Sequence, residues 1–142
     1  MDPIQRTGEK NGRKRSLLTD ARGIPLSLVA AGANRHDVKL LEATLDGVVV
    51  ARAPLGEEHL CADAGYKGGA AQKAVEARGC IPHIKQRKEE AEAIKRQPGF
   101  KARRWVVERT HSWLNRSRKL LVSFEKKEAS YVALLSLAAA LI

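Results

Sequence analysis

The hydrophobic and polar positions near the start of the chain predict a β-hairpin. Residues 14–19 (KRSLLT) and 24–31 (IPLSLVAA) are two runs of β-forming residues. Between them stand Asp20 and Gly23, which are residues that favour a tight turn. We therefore expect two antiparallel strands joined by a short connection.

A change of period after the hairpin predicts a helix. In residues 38–50 (VKLLEATLDGVVV), Val38, Leu41 and Leu45 recur at helical spacing. The polar segment 34–37 (NRHD) supplies side chains that cap helix N-termini. Its histidine and aspartate are also a pair found in catalytic sites, but their place directly before a helix favours capping.

Short strands and a helix alternate in the middle of the chain. Residues 59–63 and 80–85 are short apolar runs of strand length. Between them, residues 68–78 place small and apolar side chains on one side of a predicted helix, which Gly79 ends. Strands that alternate with helices indicate an α/β fold with crossover connections.

The last third of the chain is predicted to be helical. A long helix is expected over about residues 101–121, after a charged stretch that Pro98 and Gly99 interrupt. The apolar run 131–142 (YVALLSLAAALI) is predicted to be a buried terminal helix. It is shorter than the roughly 20 residues needed to span a bilayer, so no membrane partner is expected.

The positive charge of the chain is concentrated in one segment. Of a formal net charge of +10, residues 85–127 carry +9, with 14 lysines and arginines against five glutamates. The same segment holds four of the six aromatic residues: Phe100, Trp105, Trp113 and Phe124. This combination indicates a nucleic-acid partner, and the alternative is a solvated helical face without a partner.

The two cysteines, Cys61 and Cys80, indicate a reducing compartment. The first residues lack the apolar region of a secretory signal, so the cytoplasm is the expected location. His59 and His83 lie near these cysteines and offer a possible zinc spacing. Both cysteines sit in apolar runs, however, where free cysteine commonly acts as a small hydrophobe.

Asp63 is a candidate metal ligand because it stands where a predicted strand gives way to a glycine-rich loop. Polar groups at the C-terminal ends of strands in such sheets face a crevice. Gly65, Gly68 and Gly69 leave room there for a ligand or for backbone. Because Mg²⁺ is held by one or two carboxylates together with substrate phosphates, a second acidic residue is needed.

Glu108 is the candidate second acid. At 100° per residue, the apolar positions of the predicted long helix, with Thr110 and Ser117, fall within an arc of about 140°, and Glu108 lies on the opposite face. Arg104, His111 and Asn115 fall beside it, with Lys119 one turn further on. A solitary glutamate on a solvated face would give the same pattern. Periodicity alone therefore does not distinguish a metal ligand from an ordinary surface residue.

Three segments, taken in order, resemble the catalytic domain of DDE transposases from bacterial insertion sequences. They are residues 16–46, residues 62–68 (ADAGYKG) and residues 103–120 (RRWVVERTHSWLNRSRKL). The resemblance extends from about residue 12 to the end of the chain. It implies an α/β, RNase H-like mixed sheet with flanking helices, and metal-dependent cutting and joining of DNA.

The resemblance also implies roles for individual residues. Asp63 matches the second acidic ligand and Glu108 the third, while Arg104 matches the arginine one turn before that glutamate. A complete site would hold two Mg²⁺ or Mn²⁺ ions, and we expect Glu108 to project towards Asp63 across one crevice. No other cofactor is implied.

The resemblance implies double-stranded DNA, as transposon ends and target, as the partner. The expected DNA-binding residues are Lys67, Arg103, Arg104, Trp105, Arg109, Asn115, Arg116, Arg118 and Lys119. The cations would contact phosphates and give salt-sensitive binding. Trp105 has two open interpretations, stacking on a displaced base or packing half-buried against a neighbour.

One element of the family pattern has no match in the chain. Members carry their first catalytic aspartate on a strand before the hairpin, at the centre of the sheet, and neither Asp2 nor Asp20 fits such a strand. We therefore expect residues 1–13 to be a basic polar segment and residues 14–142 a partial catalytic domain, truncated at the N-terminus. The chain would be a truncated remnant or the downstream product of a gene read in two frames.

These observations define two alternative functions. The first is DNA transposition by a nucleoid-associated enzyme that is inactive as this fragment. Its activity would be restored by the upstream half of a transposase or by a second copy. The second is a non-catalytic remnant that binds DNA or the intact transposase.

Overall fold

The computed structural model describes residues 12–51, 56–62, 64–66, 68–84, 87–96, 104–117, 120 and 126–142. In this part of the chain the secondary structure is mixed α/β and the strands form two separate two-stranded sheets. Among the described residues no helix is both long and apolar enough to cross a membrane.

The predicted hairpin is confirmed. Strands β1 (Arg13–Thr19) and β2 (Pro25–Gly32) pair antiparallel, with Leu17 opposite Leu28 and Ser16 opposite Val29. Since successive side chains of a strand point to opposite faces, each strand supplies residues to two different layers.

One face of the hairpin packs on helix α1 (Asp37–Asp46), which buries Leu40, Leu41, Thr44 and Leu45. The Thr44 hydroxyl lies 2.7 Å from the Ser16 hydroxyl, so the polar atoms at this contact are hydrogen-bonded. Capping by side chains, which the sequence favoured, is wrong at the N-cap residue, because His36 makes no such bond. Asp37 instead forms a 2.8 Å ion pair with Lys14 of β1.

The second sheet is a β-α-β unit. Strands β3 (Glu58–Ala62) and β4 (Cys80–Ile84) are parallel, and helix α2 (Gly69–Glu76) connects them, close to the predicted bounds. The chain leaves this helix through Gly79, whose φ of +75° suits glycine. Residues 64–66 form one turn of 3₁₀ helix before α2.

A single hydrophobic cluster joins the two sheets. Helices α1 and α2 contribute Leu41, Leu45, Ala71 and Val75, and Cys80 of β4 is buried with them. Leu18 of β1 and Leu60 of β3 pack against this cluster, so both sheets rest on the same helical layer. Arg78 strengthens the junction by donating two hydrogen bonds, of 2.7 and 2.9 Å, to the carboxylate of Asp46. The hydrogen bond from Arg78 lowers the pKa of Asp46.

The other face of the hairpin is covered by helices α4 (Arg104–Asn115) and α5 (Glu128–Ala140). Leu114, Tyr131 and Leu135 are buried in this second cluster with Leu120, and Leu17 and Leu28 of the hairpin pack against them. The hairpin is therefore the layer between two hydrophobic clusters.

Several predictions about the helices need correction. Helix α1 ends at Asp46, although the predicted segment continued to residue 50. The predicted long helix over residues 101–121 does not continue as one element, because α4 ends at Asn115 and the chain turns at Arg116 and Ser117. Helix α3 (Arg87–Arg96) was not predicted, since its charged sequence has no apolar period. The terminal helix is only partly buried, as Leu137 is 61% exposed.

Candidate functional site

Helix α4 carries Glu108 on its exposed side. The buried stripe of the helix consists of Val106, Thr110 and Leu114, as predicted from a rotation of 100° per residue. Trp105, Glu108 and Ser112 lie on the exposed side. Within the described part of the chain the Glu108 carboxylate makes no ion pair. It is therefore an outward-facing carboxylate on a helix that is anchored by its other side.

The anchor of α4 is the turn between β1 and β2. The Thr110 hydroxyl, completely buried, donates a 2.8 Å hydrogen bond to the carbonyl oxygen of Gly23. The neighbouring Arg109 donates from Nη2 to the carbonyl oxygen of Arg22. Two consecutive residues of the helix thus hold two consecutive carbonyls of the turn.

Arg109 is also held between two indole rings. Its guanidinium carbon lies 4.7 Å from the ring centroid of Trp105 and 4.7 Å from that of Trp113. The three side chains are one helical turn apart in sequence, so the i, i+4 spacing brings them together. Arg109, expected from the resemblance to bind DNA, thus makes several contacts within the protein.

Asn115 and His111 lie against strand β1 and not on an open face. The Asn115 side-chain oxygen accepts a 2.7 Å hydrogen bond from Arg15. Burial lowers the pKa of His111, and the positive charge of Arg15 lowers it further. His111 is thus predominantly uncharged at neutral pH, and the cationic surroundings expected for Glu108 do not include it.

Several predicted site residues lie outside the part of the chain that the structure describes. Strand β3 ends at Ala62, the residue before Asp63, but Asp63 itself lies outside the described residues. The approach of Glu108 to Asp63 therefore stays a prediction. The side chain of Arg104 also lies outside the described part, as do four further expected DNA contacts: Lys67, Arg103, Arg118 and Lys119. Arg116 is described and is exposed just beyond α4.

The four possible zinc ligands do not come together as one set. His59 Nδ1 lies 2.8 Å from His83 Nε2 on the exposed face of the second sheet, where Cys61 is also exposed, whereas Cys80 is buried on the other face. No cluster of three or more histidine, cysteine or acidic side chains suited to a metal ion occurs among the described residues.

The predicted turn role of Asp20 is confirmed, whereas the role of Arg109 was missed from the sequence. Asp20 Oδ1 accepts 2.8 Å hydrogen bonds from the amides of Arg22 and Ile24, so its carboxylate is committed to the turn. The spacing of Trp105, Arg109 and Trp113 was a visible signal for the stacked arginine. The contact of these residues with a turn almost 90 positions away had no local signal.

Comparison with known families identifies the class of protein. The sequence profile of the transposase DDE domain matches residues 3–142, and the chain belongs to this family. The mixed α/β architecture agrees with the RNase H-like fold that the sequence resemblance implied. No solved structure is significantly similar to the chain.

A curated relative supports the same assignment. The chain is 36% identical over 136 residues to the putative transposase for insertion sequence element IS402 of Burkholderia cepacia. The match covers 92% of this chain and 62% of that protein. The chain therefore spans less than two thirds of the length of this relative.

Proposed function

We propose that the chain is a catalytic portion of an insertion-sequence transposase that cuts and joins DNA when a further polypeptide segment completes its site. The observation that carries this proposal is the presentation of Glu108 outward from an anchored helix, within a chain of the DDE family. Helical periodicity alone would leave Glu108 indistinguishable from other surface glutamates.

The residues assigned to the metal are compatible with a hard divalent cation. Carboxylate oxygens are the ligands that Mg²⁺ and Mn²⁺ prefer, and Glu108 is exposed without an ion pair among the described residues. Asp63 and Glu108 would hold the metal, which when bound activates a water or a 3′ hydroxyl for attack at phosphorus. These two carboxylates leave the site one acidic ligand short of the three that the family resemblance implies, and the proposal assigns the first aspartate to a further polypeptide segment.

The second candidate function is a remnant that binds DNA or the intact transposase without cutting. It is favoured by the state of the three described aspartates, Asp20, Asp37 and Asp46, each of which is bonded to groups of the chain itself. Each of the three would have to give up or share these bonds to act as the first acidic ligand. The net charge of +10 would support binding to DNA in either case.

The test is complementation with the polypeptide encoded immediately upstream in any frame, selected for a strand with an Asp-Ser-Thr or Asp-Gly-Thr motif. Co-expression should give Mg²⁺-dependent nicking or joining of transposon-end DNA. Asp63→Ala and Glu108→Ala should abolish that activity, because each removes a proposed ligand. Glu42→Ala, which removes an exposed carboxylate from α1, is the matched control and should retain it.

The outcomes separate the two candidates. Activity that survives in Asp63→Ala or Glu108→Ala would contradict the assignment of the site. A soluble complex that binds duplex DNA but never cuts it would support the remnant.

A further inference from the structure

The exposed face of the second sheet carries two histidines. Leu60 of β3, together with Cys80 and Ile84 of β4, packs on the helical layer, whereas His59 and His83 are exposed on the opposite face. Parallel strands are usually covered on both faces and are therefore rich in apolar residues. Packing on the helices does not account for the two imidazoles, so their arrangement needs a different explanation.

The two side chains meet through their ring nitrogens. His59 Nδ1 lies 2.8 Å from His83 Nε2, and the ring centroids are 5.0 Å apart. In the ladder His59 is opposite Ile81 and His83 is opposite Cys61, so the imidazoles approach across a diagonal of the strand pair. Because strand pairing fixes both backbones, the nitrogens are brought together at little further cost in conformational entropy. Their hydrogen bond is exposed to water, so its replacement by another bond costs little.

The spacing of the two nitrogens suits adjacent ligands of one metal ion. At a metal–nitrogen length of about 2.0–2.1 Å, two nitrogens are about 2.9 Å apart in a square-planar or octahedral site and about 3.3 Å apart in a tetrahedral site. The observed 2.8 Å is close to the first value. Both rings are exposed, and the torsion that turns a histidine ring is soft. The two lone pairs can therefore be directed at a shared ion without a movement of the backbone.

Glu57 provides a second feature that is typical of metal-binding histidines. Its Oε2 lies 4.0 Å from His59 Nε2, the other ring nitrogen of that histidine. A carboxylate near Nε2 favours the tautomer that carries its proton there, which leaves the lone pair of Nδ1 for a metal. The surroundings of His59 thus favour, as the ligand, the same nitrogen that contacts His83.

We propose that His59 and His83 together bind one late-transition-metal ion, of the class Ni²⁺, Cu²⁺ or Zn²⁺, on the exposed face of the second sheet. Water would fill the remaining coordination positions, since no group of three suitable side chains occurs in the described part of the chain. Imidazole nitrogen selects these ions over Mg²⁺, which takes oxygen ligands. The site is therefore chemically distinct from the Mg²⁺ site proposed at Asp63 and Glu108, and it does not depend on the proposed function.

A bound ion would connect β3 to β4 by a link additional to their backbone hydrogen bonds. The linked strand β3 ends at Ala62, directly before Asp63. An ion that binds the folded chain more tightly than the unfolded chain also stabilises the fold. The site therefore predicts both a direct binding signal and a change in thermal stability.

The experiment is a calorimetric titration of the untagged full chain with Ni²⁺, at about pH 7.5 and with the thiols kept reduced, because a metal-binding imidazole must be neutral. We expect one ion per chain. His59→Gln and His83→Gln should each weaken Ni²⁺ affinity about 100-fold, because each leaves a single imidazole in place of a chelating pair. Mn²⁺ should bind more weakly than Ni²⁺, and excess Mg²⁺ should not displace Ni²⁺.

Three control variants isolate the histidine pair. His36→Gln removes an exposed histidine that lies at the start of α1, and it should retain the wild-type affinity for Ni²⁺. Cys61→Ser removes the exposed thiol on the same face of the sheet and should also retain it. Asp63→Ala should bind Ni²⁺ normally, because its carboxylate belongs to the other proposed site.

The outcomes decide the proposal independently of any DNA activity. Unchanged Ni²⁺ affinity in His59→Gln and His83→Gln would overturn it, as would an equal loss in His36→Gln. A loss in Cys61→Ser or Asp63→Ala would overturn the two-histidine site in favour of one that includes the thiol or the carboxylate. At about 100-fold excess of Ni²⁺ over Kd, the melting temperature should rise by roughly 5–10 °C in the wild type but not in His83→Gln. An equal rise in both would contradict binding at the pair.

Discussion

At the scale of single residues, small chemical features determine where the candidate site residue faces. The absence of a side chain at Gly23 lets the turn approach α4, and one buried hydroxyl on Thr110 bonds to it. Glu108 comes two residues before Thr110, so its outward direction depends on that contact. The orientation of a polar, exposed residue is thus set by its buried neighbour.

Replacement of Gly23 by alanine should destabilise the protein by about 1–3 kcal/mol, because a positive φ disfavours a Cβ and the new methyl group lies too close to Thr110. The measurement is the urea midpoint at unchanged m value. Gly69→Ala is the control, since nothing lies within 4 Å of a Cβ there and the residue begins a helix. That variant should be neutral or more stable by up to about 1 kcal/mol. Equal destabilisation of both variants would contradict the role given to Gly23.

At the scale of elements, the sequence predicts those whose period is clear and misses those set by other forces. The strands and α2 have apolar residues at the expected spacings, and their bounds fall within two residues of the prediction. Helix α1 begins where predicted but ends at Asp46, four residues before the end of the predicted segment. Helix α3 forms from lysine, glutamate and alanine, whose helix propensity is high although they give no apolar stripe.

The end of α4 shows why continued apolar spacing does not guarantee a continued helix. Leu114 and Leu120 are buried in the same cluster, as one long helix would require. Nevertheless the helix stops between them, where Asn115 bonds to Arg15 and where asparagine and serine favour helix ends. Burial of Leu120 was predicted from the sequence, whereas Ser117, predicted on the buried arc, is exposed.

The contact of α4 with β1 predicts a pH dependence of stability. The folded pKa of His111 lies below its ordinary value of about 6.5, so below that pH the unfolded chain binds a proton that the folded chain resists. The free energy of unfolding should therefore fall as the pH drops through about 6.5 and further towards the folded pKa. His111→Gln should flatten this decline, which urea unfolding at about pH 7.5 and pH 5.5 measures. An identical decline in wild type and variant would contradict it.

At the scale of the whole molecule, the two sheets share a helical layer but no strand pairing among the described residues. There β1 pairs with β2, and β3 with β4, so β1 and β3 each have one edge without a strand partner. This arrangement is compatible with the absent central strand expected from the sequence. The first aspartate, which that strand would carry, could not be located from the described elements.

We expect the isolated chain to be marginally stable or prone to aggregate. Unpaired buried backbone groups cost about 1–3 kcal/mol each, against a net stability of about 5–15 kcal/mol for a small domain. Thermal melting of the lone chain should give a broad transition at low temperature, and co-expression with the complementing polypeptide should raise and sharpen it. A cooperative melt of the lone chain above about 65 °C would contradict this expectation.

The position of the hairpin between two clusters also has a consequence during synthesis on the ribosome. Helix α1 follows the hairpin directly, so one hydrophobic face of the hairpin is covered early. The other face is covered by Leu114, Tyr131 and Leu135, which are made roughly 5–20 s later at ordinary rates of translation. During that interval Leu17 and Leu28 stay open to solvent and to other nascent chains. We therefore expect the hairpin to be a segment on which a chaperone would act during synthesis.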